Sequence, residues 1–179
     1  VRWLIAGVSI ALLFSLQLAL ADLQVFGSAP NLALVYLCLG LAYWRLGDSL
    51  YLAAGAGALL DVFSALPDGI MLAGMVIAVA LSEYLCRALF STRLGDLLPL
   101  VQTILASILF FAAIMLVNQA QALASSGRVL DWGYLLSYKL GADVILNVLA
   151  VYPVHLYFRL QQMVQVRLGV KLVIKNEPI

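Results

Sequence analysis

Hydrophobic positions in this chain fall in long runs, broken by short polar clusters, rather than in alternating or one-sided patterns. The runs predict six helices, at approximately Trp3–Ala21, Pro30–Trp44, Ser49–Leu66, Gly69–Phe90, Leu97–Ala120 and Tyr134–Leu160. Most come near the ~20 residues that a helix needs to cross a bilayer. The second is short for a span and needs its neighbours, or local thinning of the bilayer, to fit. The polar breaks are brief, so consecutive helices are expected to pack as antiparallel neighbours. Only Gln121–Gly133 is long enough to form a loop of its own. The expected fold is all-α: a compact bundle of six transmembrane helices, one domain over residues 1–160, followed by a basic tail over residues 161–179.

Composition narrows the class. Of 179 residues, 65% are hydrophobic and 11% are charged, with a mean hydropathy of +1.07. A soluble domain carries roughly 25% charged residues. That leaves too little polar surface to solvate a soluble helical domain, and a polytopic membrane protein is the consistent class. Basic residues suggest its orientation. With both termini cytoplasmic, that side holds Arg2, Arg45, Arg87, Arg93, Arg159, Arg167, Lys171 and Lys175, while the other holds only Arg128 and Lys139 falls within the sixth segment. The net charge of +1 is sorted by side and forms no nucleic-acid patch. The first segment is too long for the apolar core of a secretory signal, and no small-residue cleavage site precedes Asp22, so it is expected to be a retained helix.

Catalytic chemistry finds few candidates. His155 is the one histidine, two residues after the helix-bending Pro153, and fits an interfacial position. Ser125-Ser126-Gly127 is expected across the membrane from it, which argues against a serine–histidine dyad. No His, Cys, Asp or Glu group has metal-ligand spacing, and no Gly-rich phosphate loop follows a strand. Cys38 and Cys86 sit inside helices as small buried hydrophobes. No enzyme activity, cofactor or metal is expected.

What stands out is a set of polar groups inside the apolar segments, where burial in hydrocarbon is costly. Asp61 lies near the outer end of the third segment. Lys139, Asp143 and Asn147 share one face of the sixth at i, i+4, i+8. Matching depths suggest that Lys139 sits between Asp143 and Asp61. These groups either pin helix packing and snorkel to the interface or bind a partner or ligand. Glu83 and Arg87 form an i, i+4 pair in the favourable order, read as internal neutralisation. The third segment is also thin. Ala53, Ala54, Gly57 and Ala58 give small-xxx-small pairs at 53/57 and 54/58, which let helix backbones approach closely. Internal packing and a partner helix are both open uses of that face.

Gly55, Leu59 and Asp61 in the Gly-spaced third helix, followed by a turn and the Pro67-Asp68-Gly69 start of a new apolar helix, resemble MreD, the rod-shape-determining membrane protein family. Upstream, Ala29–Gly47 ("APNLALVYLCLGLAYWRLG") is similar to the family's Pro-Asp-Leu opening of the second helix and its basic-Gly turn. Asn31 stands where an Asp is common, and Asp68 where an apolar residue is. The resemblance implies a multi-pass protein of the bacterial cytoplasmic membrane, a non-enzymatic scaffold for cell elongation and peptidoglycan synthesis. Its implied partners are an MreC-like bitopic protein, the actin-like MreB, RodA, a penicillin-binding transpeptidase and membrane lipids. It also implies similarity to the six-helix substrate-binding subunits of energy-coupling-factor transporters, so a vitamin or other small-molecule transporter subunit is the alternative.

The tail has two patterns. Val164, Val166, Leu168, Val170 and Leu172 alternate with more polar residues as in a strand, whereas Arg167, Lys171 and Lys175 are spaced as a basic helical stripe. A disordered or membrane-surface tail drawn to anionic lipid is the expectation, at ~1 kcal/mol per basic residue near the surface.

Overall fold

The computed structural model describes residues 2–21, 29–64, 69–90, 97–126 and 140–167, and the described residues are helical with no strand. Six helices follow in order: α1 (Arg2–Ala21), α2 (Leu32–Leu41), α3 (Leu46–Phe63), α4 (Ile70–Phe90), α5 (Leu98–Ser126) and α6 (Leu140–Arg167). All but α2 are long and apolar enough to cross a membrane.

α2 organises the rest. Its 10 residues span about 15 Å at 1.5 Å per residue, half of a ~30 Å hydrocarbon core, and every one is buried. A helix that is apolar on all sides must be covered on all sides, and α2 packs against α1, α3, α4, α5 and α6. Its neighbours enclose the short second segment, the first of the two ways in which its length was expected to be accommodated. The chain leaves α2 through a tight turn in which Tyr43 and Trp44 donate to the Gly40 carbonyl. The Trp44 ring lies on Gly40 where a Cβ would otherwise stand. Tyr36, Tyr43 and Trp44 then close around Phe158 of α6, with ring centroids 5.3–5.5 Å apart.

α4 is held between α3 and α5. On α3, Ala53, Ala56 and Gly57 are buried, and Gly57 lies against the Leu72 backbone of α4. On α5, the Phe110 ring reaches the space above Gly74. These thin contact surfaces bring three backbones close, which replaces the solvent-driven association that lipid cannot supply.

Several boundaries differ from the sequence-based ones. α5 continues to Ser126, so residues 121–126 of the expected Gln121–Gly133 loop are helical. α6 runs past Leu160 to Arg167. Its inward stripe is Val154, Phe158, Gln161 and Gln165, all buried, while Val164 and Val166 are exposed. The 3.6-residue period therefore overrides the alternating pattern at this end. Residues 168–179, with Lys171 and Lys175, lie outside the described residues.

Candidate functional site

The polar contacts described between helices fall into four sets, and the first answers why an acid interrupts an oily helix. α4 begins at Ile70, and Gly69 before it adopts φ +89°, a left-handed conformation suited to glycine. Having no side chain, Gly69 cannot cap the helix. Asp61, in the last turn of α3, does so instead. Its carboxylate accepts the N–H groups of Gly69 (3.1 Å), Met71 (2.8 Å) and Leu72 (3.1 Å). These belong to the orphan donors that every helix start must satisfy, and a negative charge there also complements the helix dipole. The close approach is possible because Gly57, one turn earlier on the same face, has no Cβ. One placed there would fall on the Leu72 Cα and 2.9 Å from the Met71 carbonyl oxygen.

The second set closes the start of α2 inside the bundle. Asn31 caps its own helix, accepting from Leu34 N–H at 3.0 Å. Its backbone N–H donates to Asn147 Oδ1 of α6 at 2.6 Å, and Leu32 N–H donates to Gln17 Oε1 of α1 at 3.0 Å. Asn147 Nδ2 donates in turn to Ser107 Oγ of α5 at 2.9 Å, whose hydroxyl donates to the Thr103 carbonyl. Four helices meet in this neutral chain of bonds. No water is available in hydrocarbon to satisfy a helix start, so side chains must do it.

The third set is charged. Glu83 of α4, buried, accepts from Arg87 Nε at 2.7 Å and pairs with Arg87 Nη2 at 2.7 Å. Its other oxygen accepts from Gln102 Nε2 of α5. The fourth set joins α2, α6 and α1: Tyr36 hydroxyl donates to Gln161 Oε1 at 2.7 Å, and Tyr157 hydroxyl donates to Ser9 Oγ at 3.0 Å.

Against the sequence-based expectations, Glu83 and Arg87 pair, and Gln102 joins them from across the bundle. Asn147 is buried in the α2 knot, and Asp143 lies one turn before it, half-buried. Lys139 lies outside the described residues, and the partners shown for Asp61 are the backbone donors of α4. The small residues divide: Ala53 and Gly57 are buried, Gly57 against α4, while Ala54 is half-buried and Ala58 is exposed. Gly55, two residues from Gly57, faces open space. Gln17, Gln102, Ser107 and Gln161 escaped the sequence reading, although a polar side chain within an apolar run is itself a signal.

A groove of about 530 Å³ runs between α1 and α6 over the start of α2, lined chiefly by Leu13, Leu16, Leu20, Leu149, Pro153 and Tyr157. Its walls are almost wholly apolar, and the Tyr157 hydroxyl is bonded to Ser9. In comparisons with known proteins, no protein-family model, curated protein or solved structure matches this chain.

Proposed function

We propose that this chain is an MreD-like, non-enzymatic scaffold of the cell-elongation machinery in a bacterial cytoplasmic membrane. It would hold an MreC-like bitopic protein and support peptidoglycan synthesis with RodA and a penicillin-binding transpeptidase. The observation that carries the reading is the α3–α4 hairpin. Two of the residues on which the resemblance rests have linked geometric roles there: Asp61 caps α4, and Gly69 supplies the left-handed entry before it. The described polar sets mostly tie the chain's own helices together, which suits a rigid body presenting apolar faces to partner helices. With Arg45, Arg87, Arg159 and Arg167 toward the end where α3 starts and α4 and α6 finish, both termini are proposed to be cytoplasmic.

The second reading, a substrate-binding subunit of a small-molecule transporter, draws on the groove, whose volume falls in the ~300–1,000 Å³ range of ligand pockets. Such pockets also carry a few polar groups that orient the ligand, and this groove has almost none on offer. Depleting the chain in its own host separates the two. The scaffold reading expects rods to round up with loss of lateral wall synthesis and unchanged vitamin uptake. Unchanged shape with impaired uptake would reverse the order.

A further inference from the structure

α1 and α6 are joined at one end of a shared strip and held apart at the other. At the joined end the Tyr157 hydroxyl bonds directly to Ser9. Two turns farther along, Gln17 and Asn147 each hold a backbone N–H at the start of α2, which stands between the two helices. The groove lies in the resulting V. Leu13, Leu16 and Leu20 wall it on α1, Leu146, Leu149 and Pro153 wall it on α6, and Leu32 of α2 lies beneath. From the Ser9–Tyr157 level to the Leu20–Leu146 level both walls advance about 16 Å, at 1.5 Å per residue. We propose that this groove seats one acyl chain of a bilayer phospholipid, which packs α1 against α6 where no side chain does.

Position, chemistry and size select that occupant. Both walls belong to helices long and apolar enough to span a membrane, so the groove opens sideways into hydrocarbon. The donors nearest to it are already used: Asn31 and Leu32 N–H on Asn147 and Gln17, and the Tyr157 hydroxyl on Ser9. A polar ligand needs a few such groups to orient it, and a hydrocarbon chain needs none. About 530 Å³ over a length of about 16 Å gives a mean cross-section of roughly 33 Å². A helix with its side chains is at least ~10 Å across, roughly 80 Å² in section. A partner helix would therefore bridge the exposed lips at Leu16 and Leu149 and leave the floor over Leu32 unfilled, against the close packing that interiors reach. A single extended chain enters.

The seat also answers a weakness in the bundle, because α1 rests chiefly on α2 and α3. Lipid and wall are equally apolar, so the preference for the groove comes from dispersion contacts on several sides rather than from water. This site is independent of the scaffold reading.

Photolabelling tests it, with the full chain in phosphatidylcholine nanodiscs doped with phosphatidylcholine that carries a diazirine on one acyl chain. Adducts are mapped by mass spectrometry after irradiation. Leu13, Leu16 and Leu149 should carry about threefold more label than Leu4 and Tyr152, which are exposed on outward faces. The excess should vanish in Leu149→Trp, where an indole at the lip fills the groove. It should persist in Leu4→Trp, on the opposite face of α1 from Leu13. Because the wild-type chain supplies the comparison of faces, a poorly folding variant does not stop the test. Equal labelling of groove and outward faces would overturn the proposal, and so would an excess that survives in a folded Leu149→Trp chain. The same labelling in native membrane vesicles of the host completes the test. An excess there supports the lipid, whereas a groove protected there beside labelled outward faces would overturn the proposal, because a protein then covers it.

Discussion

Both faces of α3 carry small residues, and these meet different fates. The inner stripe is Ala53, Gly57 and Asp61, spaced i, i+4, i+8; Ala53 is buried, Gly57 and Asp61 meet the start of α4, and a Cβ on Gly57 would collide with backbone. The outer stripe Tyr51, Gly55, Ala58 and Val62 is exposed, and a Cβ on Gly55 would touch nothing. Small residues alone therefore do not say what a helix packs on. What distinguishes the inner stripe is that it ends in an acid, and that acid needs backbone donors within reach.

The sharpest way to break this comparison is to enlarge the inner glycine. Gly57→Leu pushes a side chain into the Leu72 backbone, which cannot yield as a flexible side chain would. Its cost should reach or exceed the ~1–3 kcal/mol typical of overpacked cores, read as lost helix content or a lowered melting point in nanodiscs. Asp61→Ala comes next, at about 2 kcal/mol, the upper end for loss of a helix cap, because three donors lose one acceptor together. Asp61→Asn should cost less, since its amide oxygen can still accept. A difference of zero between Ala and Asn at this position would mean that the cap contributes nothing.

Asn147→Leu probes a polar contact without charge or close backbone approach. It removes an acceptor from Asn31 N–H and a donor to Ser107. The loss should be about 1 kcal/mol, within the range measured for interhelical bonds in membranes. The smallest effect belongs to the outer glycine: Gly55→Leu should stay within ~0.5 kcal/mol of wild type, as surface substitutions usually do. Equal losses at Gly55 and Gly57, by the same melting measurement, would erase the distinction between the faces.

The sequence made the apolar segments legible, because hydropathy sets where a helix can be buried, and it marked Asp61, Glu83, Arg87 and Asn147 as costly groups. It did not disclose α2 as the centre. Length suggested a poor span, whereas uniform apolarity was the stronger clue to a helix covered on all sides. Depth matching directed attention to Lys139, which lies outside the described residues, and left unread the donors eight to eleven residues from Asp61, at the start of the next helix. Gln17, Gln102, Ser107 and Gln161 are neutral residues whose bonds exist only once three or four helices have met. Such partners depend on tertiary adjacency, which hydrophobic periodicity does not encode.

The most direct test of the proposed role is recovery of partners from native membranes, using the intact chain in nanodiscs or mild detergent with Gly57→Leu as the packing-defective control. The scaffold account predicts that wild type brings down a bitopic protein with a coiled-coil segment outside the membrane, together with wall-synthesis enzymes. Recovery of ATPase subunits in place of that bitopic protein would contradict it.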